Sequence, residues 1–264
     1  MQVMTFLQTV VEEKKALVKE KKENTSVEKL LARAKQQKKR SFYDVFKRGN
    51  QKDVKIIAEI KRESPSQGVL SRTINVQELV QKYEEGGASA ISVITEAKHF
   101  SGSLGFIPLV KNVSCLPILR KDFIVDSWEL YETKAYGADA VLLIGEVLKQ
   151  DELVKFLGIA KSIDLDVLLE VHRMETFKKI SDLDGFLLGI NNRNLDTLTV
   201  DLRTAETILD EIPNELPVII ESGIENAADI TGFMEKGASG FLIGSSLVLS
   251  QDPVKKLREL RGCS

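Results

Sequence analysis

Short apolar runs alternate with amphipathic segments along most of the chain, from Val54 to the C-terminus. Eight runs rich in Val, Ile and Leu predict strands at 54–60, 90–94, 116–120, 139–144, 166–170, 186–190, 217–221 and 240–243. Apolar residues at helical spacing predict helices between them at 75–86, 127–136, 150–163, 174–181, 202–211 and 226–236. Strands that are apolar along their whole length are typical of a parallel sheet covered by helices. The pattern therefore predicts an α/β protein.

The N-terminal part of the chain has a different pattern, because its apolar residues recur only at helical spacing. A capping signal at Thr25 predicts the start of a second helix, and one at Ser41 predicts a third. Gly49 is expected to end that third helix. We therefore divide the chain into an N-terminal helical extension, residues 1–48, packed on a catalytic domain of residues 49–264.

A weak internal repeat indicates how the strands are arranged. Gly-Ala pairs precede the second, fourth and eighth strands at Gly87, Gly137 and Gly237, starting 50 and then 100 positions apart. Segment 184–189 resembles segment 239–244. A period of two βα units fits a closed eightfold barrel in which each glycine ends a helix in a left-handed cap.

The predicted fold class is therefore a (β/α)8 TIM barrel with an N-terminal helical extension. The alternative is an open doubly wound sheet, but no glycine-rich dinucleotide fingerprint follows the first strand.

The composition of the chain limits which nucleic-acid, membrane or metal partners are expected. A formal net charge of −2 gives no global reason to expect nucleic acid or an anionic membrane. The basic run from Lys35 to Arg40 is interpreted as a solvated helix end. Two cysteines and two histidines without ligand spacing argue against a metal site, and Cys115 is expected to be a small buried residue. We expect a cytoplasmic protein with no membrane partner.

Charged and polar residues fall at the predicted carboxyl ends of the strands, where barrel enzymes place their active sites. Glu59 and Lys61 taken alone could be a plain buried ion pair. A structural and a catalytic role both stay open for His172. Mixed charges in one pocket shift each other's pKa and supply acid and base partners. The residues predicted to converge there are Glu59, Lys61, Lys121, Glu170, Asn191 and Glu221.

The last two strand ends predict an anion site. Ser222-Gly223 and Gly244-Ser245 each lie between a strand and a helical stretch. Glycine lets backbone N–H groups at a helix N-terminus approach an anion closely, and barrels commonly bind phosphate at this position.

Five segments of the chain resemble indole-3-glycerol phosphate synthase, a family of the tryptophan pathway. They are residues 58–68, 119–123, 169–172, 189–195 and 220–224. The resemblance covers essentially the whole chain, including the helical extension. Glu63 and Gln67 depart from the Ala and Lys that family members often carry, at positions outside the expected chemistry.

The resemblance implies a cofactor-free ring closure, without a metal. The substrate is 1-(2-carboxyphenylamino)-1-deoxyribulose 5-phosphate, and the products are indole-3-glycerol phosphate, carbon dioxide and water. Lys121 would be the general acid, Glu170 the base for dehydration, and Lys61 a group that holds the substrate's anions early and could act as an acid late. Glu59, Asn191 and Glu221 would orient the lysines and the ribulose hydroxyls.

The resemblance also implies a set of substrate contacts. Pro65, Phe100, Phe123 and Leu142 would enclose the anthranilate ring, and the N-terminal helices would cover the mouth and exclude water. The full substrate-binding set is Ser64, Pro65, Phe100, Phe123, Leu142, Arg193, Ser222, Gly223, Gly244 and Ser245.

Three other functions stay open. The chain could be another barrel enzyme acting on a phosphosugar, such as an isomerase or an aldolase that uses Lys121 as a Schiff base. It could be a non-catalytic barrel that binds a phosphorylated metabolite, or it could bind nucleic acid through residues 35–40. A monomer is expected, and a homodimer is left open.

Overall fold

Eight parallel strands follow one another around a closed barrel in the computed structural model, which describes residues 4–47, 53–65, 68–70, 75–213 and 215–263. Each strand pairs with its neighbours in sequence, and the last pairs with the first. The (β/α)8 prediction is confirmed, and the open doubly wound sheet is wrong. The strands are β1 (Ile56–Ile60), β2 (Ala90–Ile94), β3 (Ile118–Lys121), β4 (Ala140–Ile144), β5 (Asp166–Val171), β6 (Leu187–Asn191), β7 (Val218–Glu221) and β8 (Gly240–Ile243).

Three helices precede the barrel and the rest surround it. They are α1 (Phe6–Asn24), α2 (Val27–Ala34), α3 (Phe42–Phe46), α4 (Val76–Glu85), α5 (Phe106–Val113), α6 (Trp128–Ala135), α7 (Gln150–Ser162), α8 (Met174–Ile180), α9 (Arg203–Leu209), α10 (Ala227–Glu235), α11 (Ser245–Val248) and α12 (Pro253–Leu260). The helices named from the sequence are all present. No range was predicted for α5, α11 or α12. Pro108 of α5 lies in the first turn, where a helix tolerates proline.

Several local predictions can be checked directly. Gly87, Gly137 and Gly237 have φ values of 86°, 93° and 96°, so the left-handed caps are confirmed. The cap of α2 was predicted one residue too early, because the Ser26 side chain accepts the hydrogen bond from the first turn of α2. Gly49 lies outside the described residues.

Two further expectations about single residues can be compared with the structure. Cys115 is exposed, so the prediction of burial is wrong. In the basic run, Lys39 pairs with Asp164 and Asp166, at 2.7 and 2.9 Å, and Arg40 donates to backbone carbonyls. These two cations therefore hold the fold together.

The barrel interior has its own apolar core. Its residues alternate along the strands with outward-facing residues that pack under the helices, as the period of two requires. Further along the same inward faces, towards the carboxyl ends, the side chains become charged. The strand residues of this interior core are Ile57, Ala90, Leu119, Ala140, Leu142, Ile144, Leu168, Leu187, Ile219 and Leu242.

Helix α3 closes the N-terminal end of the barrel. Phe42 and Phe46 belong to the interior core, and their side chains are fully buried. The backbone N–H of Phe42 donates to Asp166 at the start of β5, at 2.9 Å. The backbone N–H of Arg40 donates to Asp139, which precedes β4, at 2.8 Å. These hydrogen bonds join the chain before the barrel to the strand beginnings.

Helix α1 lies at the opposite end. Its Lys14 ammonium is buried and lies 3.0 Å from Asp122, just after β3, and 3.0 Å from Glu129 in α6. Arg120, on the outward face of β3, pairs with Asp122 and Glu132 at 3.1 Å each. A buried ionic network therefore joins α1, β3 and α6.

Helix α2 packs along α6 and connects the two ends of the molecule. Leu30 of α2 shares a buried cluster with Trp128 and Ala135 of α6. The extension thus runs from the carboxyl end of the barrel, down one side, to the amino end. Only α1 lies near the mouth, which corrects the expectation that all the N-terminal helices cover it.

Candidate active site

A cavity of about 650 Å³ opens at the carboxyl ends of the strands. Its walls come from strand ends and loops that are far apart in sequence. All six residues predicted to converge at this mouth line it: Glu59, Lys61, Lys121, Glu170, Asn191 and Glu221. The convergence expected from strand alternation is therefore present.

Lys121 is the centre of this cavity's charge cluster. Its ammonium at the end of β3 lies 2.9 Å from Glu170 on β5 and 2.5 Å from Glu221 on β7. The Asn191 amide, at the end of β6, donates to the same oxygen of Glu170, at 3.2 Å. Four strands thus bring one cation, two carboxyl groups and one amide into direct contact.

The cluster sets the protonation of its members. Burial alone would lower the pKa of Lys121, but Glu170, Glu221 and Glu59 raise it above the usual lysine range. Burial would raise the pKa of Glu170, but Lys121 and His172 hold it below the usual range. Burial and the neighbouring Glu170 carboxylate raise the pKa of Glu221 to about 8. These directions favour a protonated Lys121 and an ionised Glu170 at neutral pH, and they make Glu221 the weaker acid of the two glutamates.

The second lysine connects the charge cluster to the loops after the last strand. Lys61 Nζ lies 3.3 Å from Glu59 Oε1 and 3.0 Å from the Ser245 hydroxyl. A Cβ on Gly244 would collide with the Glu59 carboxylate, so a glycine is needed beside it. A glycine is needed at position 189 for the same reason, because a Cβ there would lie 2.6 Å from Glu221 Oε1.

The residues predicted to hold phosphate lie together on one side of the cavity. Ser222, Gly223, Gly244 and Ser245 all line it. Ser222 and Gly223 have φ values of 64° and 85°, and the left-handed conformation of a serine costs about 1–3 kcal/mol and is found mainly at functional sites. Ser246 was not predicted, but it also lines the cavity, with a buried hydroxyl that has no hydrogen-bond partner among the described residues. Its position directly after Ser245, in the first turn of α11, was the available signal.

An apolar wall stands beside the charges. Phe100, Phe123 and Leu142 line the cavity as expected, and the two phenyl rings lie 6.2 Å apart between centroids. Glu96 was not predicted, yet it fixes the loop that carries Phe100. Its carboxylate accepts hydrogen bonds from the backbone N–H groups of residues 98, 99 and 100, at 2.9, 2.7 and 3.1 Å.

Three remaining site candidates have different positions. Arg193 lines the cavity, and its backbone N–H donates to Asn191 at 3.0 Å. Ser64 is buried and Pro65 is exposed, both in the loop after β1, and neither lines the cavity. That loop is tied to the loop after β2, because Ser101 donates to Glu63 at 2.7 Å. None of the described residues of α1 lines the cavity either.

Comparisons with known proteins show which family the chain belongs to. A family model described as indole-3-glycerol phosphate synthase matches residues 7–260. The chain belongs to the indole-3-glycerol phosphate synthase family. An indole-3-glycerol phosphate synthase from Kineococcus radiotolerans is 42% identical over 80% of this chain and 77% of its own length. One from Caldanaerobacter subterraneus subsp. tengcongensis is 41% identical over 81% of this chain and 84% of its own.

Solved structures of other proteins share the barrel fold of this chain. A 3-hexulose-6-phosphate synthase from Salmonella typhimurium matches with a TM-score of 0.65 at 13% identity, over 79% of this chain and 97% of its own. A chain of the Pyrococcus furiosus tryptophan synthase complex matches with a TM-score of 0.61 at 17% identity, over 82% and 99%. At these identities the likeness shows the barrel fold alone.

Indole-3-glycerol phosphate synthases are lyases of tryptophan biosynthesis that act on a small phosphorylated substrate. Family membership confirms the resemblance seen in the sequence. Among the described residues, no helix is both long enough and apolar enough to cross a membrane.

Proposed function

We propose that this chain is an indole-3-glycerol phosphate synthase that works at the barrel mouth. It closes the ring of 1-(2-carboxyphenylamino)-1-deoxyribulose 5-phosphate to give indole-3-glycerol phosphate, with loss of carbon dioxide and water. The observation that carries the proposal is the contact of one Lys121 ammonium with both Glu170 and Glu221, at 2.9 and 2.5 Å, inside the cavity. An acid and a base are therefore available within one small pocket.

Ring closure needs a proton donor at the substrate's ketone. As the aromatic carbon attacks the carbonyl carbon, the carbonyl oxygen gains negative charge and takes a proton. Lys121 suits this step because its two carboxyl neighbours keep it protonated. Loss of carbon dioxide then returns the bonding electrons to the ring and restores its aromaticity.

Dehydration needs a base near the nitrogen and an acid near the leaving hydroxyl. Glu170 is ionised and accepts the proton lost from the ring carbon beside the nitrogen, while a double bond forms from that carbon to its neighbour and expels the hydroxyl on that neighbour. Lys61 protonates that hydroxyl, which leaves as water. Lys61 suits this second role because its ammonium lies beside Glu59 and Ser245, apart from the Lys121 pair.

The remaining residues bind and orient the substrate. Glu59, Asn191 and Glu221 orient the two lysines and the ribulose hydroxyls, and Arg193 supports Asn191 through its backbone. The apolar wall takes the aromatic ring, and the loops after β7 and β8 take the phosphate. Ser64 and Pro65 belong to the loop after β1, so they would contact substrate only through a movement of that loop. We retain them as substrate-binding candidates on the family resemblance.

An aldolase that forms a Schiff base on Lys121 is a weaker candidate. Schiff-base chemistry needs a neutral amine, and the surrounding carboxyl groups raise the pKa of Lys121 instead of lowering it. Borohydride reduction with substrate present should leave Lys121 unlabelled. Nucleic-acid binding through residues 35–40 is also weaker, because Lys39 and Arg40 are engaged within the fold.

We also propose a simple organisation around this activity. Residues 1–48 form the helical extension and 49–264 the catalytic domain, with the boundary outside the described residues. The protein is a cytoplasmic monomer that needs no cofactor, nucleic acid or membrane.

The direct test is to add the carboxyphenylamino-deoxyribulose phosphate and follow indole fluorescence. Lys121→Ala and Glu170→Gln should each lower kcat by about 10²–10⁴-fold, the usual contribution of a general acid or base. Lys155→Ala, on the exposed face of α7, is the matched control and should keep full activity. Absence of fluorescence from well-folded wild-type protein would reject the proposal.

A further inference from the structure

A buried histidine lies behind the proposed base, outside the cavity. His172 follows β5, its side chain is 3% exposed, and its Nε2 lies 3.2 Å from Glu170 Oε1. Its Nδ1 lies 3.0 Å from Glu146 Oε2. Neither His172 nor Glu146 lines the cavity. The proposed chemistry does not use either of them, yet both are buried, titratable and connected to Glu170.

We propose that Glu146 and His172 are positioning residues that hold the Glu170 carboxylate in its reactive orientation. The inference rests on the proposed role of Glu170 as a base. It gives His172 no contact with substrate, so the effect passes entirely through Glu170.

The two oxygens of Glu170 face different partners. Oε2 points to the cavity side, where Lys121 and Asn191 contact it at 2.9 and 3.2 Å. Oε1 points away, towards His172. The last torsion of a glutamate side chain is broad, so contacts on one oxygen alone leave the carboxylate plane free to rotate. His172 Nε2 makes no hydrogen bond among the described residues, but it lies 3.2 Å from the second oxygen, and its electrostatic attraction for that oxygen favours one orientation of the plane.

Glu146 in turn fixes the histidine ring. Its Oε1 accepts from the backbone N–H of His172 at 2.9 Å, and its Oε2 contacts the ring Nδ1. With both oxygens on one residue, Glu146 holds the ring so that Nε2 faces Glu170. A carboxylate on one ring nitrogen is a common means of setting the orientation of a histidine.

The conformation of the loop after β4 places Glu146 beside His172. Gly145 N–H donates to the backbone carbonyl of Glu170 at 2.9 Å, which brings the end of β4 against the end of β5. A Cβ on Gly145 would lie 2.7 Å from the Thr176 methyl group, so a larger residue would push the loop away. The glycine therefore allows the close approach that puts Glu146 beside His172.

The charges around His172 keep it cationic. Burial would lower its pKa, but Glu170 and Glu146 raise it to about 9. Two cations lie on the neighbouring α8 segment: Arg173 is next in sequence, and Lys179 binds the carbonyls of residues 145 and 148. A cationic His172 at neutral pH helps Lys121 to keep Glu170 ionised, as a base must be.

The test is a double-mutant cycle on folded full-length enzyme. His172→Gln and Glu146→Gln should each lower kcat about tenfold, the low end of effects on a catalytic base, with KM unchanged within about twofold. Without the cation, the acidic limb of the kcat–pH profile should move to higher pH. In the Glu170→Gln background, His172→Gln should cause no further loss. His99→Gln is the control, because His99 has a similar Glu13 partner at 2.7 Å outside the cavity.

The outcomes separate the two proposals. If Glu170→Gln is inactive while His172→Gln and Glu146→Gln keep wild-type kcat and pH profile, the positioning role is wrong and the proposed function stands. If His172→Gln lowers kcat by the same factor in the wild-type and in the Glu170→Gln background, the positioning role is also wrong. If Glu170→Gln keeps its activity, the proposed function itself fails. If circular dichroism shows that His172→Gln does not fold, the same cycle with Glu146→Gln tests the positioning role.

Discussion

At the scale of single residues, the chemistry of the site depends on neighbours more than on residue type. Lys121 and Lys61 lie in the same cavity, but Lys121 contacts two carboxyl groups while Lys61 contacts one carboxylate and a hydroxyl. Glu170 and Glu221 are both buried glutamates, yet their pKa values move in opposite directions. Such divergence between paired groups is what separates acid from base in an active site.

Gly189 provides a test of how closely this cluster is packed. In Gly189→Ala the new methyl group would lie 2.6 Å from Glu221 Oε1, so the Glu221 carboxylate must shift from its present position beside Lys121. We expect kcat to fall at least about tenfold, with a loss of about 1–3 kcal/mol in the free energy of unfolding from overpacking. Steady-state kinetics and urea denaturation measure the two effects.

Gly158→Ala is the matched control for this change. Gly158 lies in α7 with open space around its Cα, so alanine should leave kcat unchanged and stabilise the helix by about 0.5–1 kcal/mol. Wild-type kinetics for Gly189→Ala would contradict the close packing of Glu221.

Sequence patterns predicted the strand residues of the site and several of its loop residues, but missed others in the loops. Strand alternation determines where a side chain points, so Glu170 and Asn191 could be assigned to the mouth from their neighbours. Glu146 and Glu96 lie beyond strand ends, where no period applies and backbone hydrogen bonds decide the position. The partner of His172 is 26 residues away in sequence, so its role could not be chosen without coordinates.

At the scale of elements, the buried ionic network determines how α1 is attached. Lys14 reaches both β3 and α6, and its side chain is 6% exposed. The sequence predicted that the helical extension packs on the catalytic domain, but not that a lysine would anchor α1. Charge alone does not distinguish Lys14 from its neighbour Lys15, which is exposed and pairs with Glu12.

These two lysines give a matched pair of variants. Lys14→Met removes the cation facing Asp122 and Glu129 and should lower the free energy of unfolding by about 3 kcal/mol, because buried carboxylates lose their partner. Lys15→Met removes only an exposed pair and should cost less than about 0.5 kcal/mol. Urea denaturation followed by circular dichroism measures both. Equal stabilities for the two variants would show that the network does not anchor α1.

Element boundaries followed well from the sequence where caps and apolar runs coincide. Glycine caps ended three helices as predicted because no other residue adopts those φ values easily. The start of α2 was misassigned because Thr25 and Ser26 are both good N-caps, and only the hydrogen bond from Lys29 distinguishes them.

At the scale of the whole molecule, stability and catalysis occupy opposite ends of the barrel. Phe46 closes the amino end, and the cavity opens at the carboxyl end. Phe46→Ala should lower the free energy of unfolding by about 3–5 kcal/mol, as expected for a fully buried phenyl group. It should leave the kcat and KM of the folded enzyme within about twofold of wild type.

Tyr43→Ala is the control for this variant, because Tyr43 lies in the same helix and is 38% exposed. Its cost should be below about 1 kcal/mol. Thermal denaturation and steady-state kinetics on both proteins make the comparison. A large loss of kcat in folded Phe46→Ala would show that the two ends are coupled.

The contact between Phe46 and the last strand also constrains how the protein is made. A Cβ on Gly240 would lie 2.8 Å from the Phe46 ring, so that ring rests directly on the beginning of β8. During synthesis, nearly two hundred residues separate the emergence of these partners from the ribosome. The face of the Phe46 ring that rests on β8 therefore stays without this partner until translation is almost complete, and a chaperone would have most to protect during that interval.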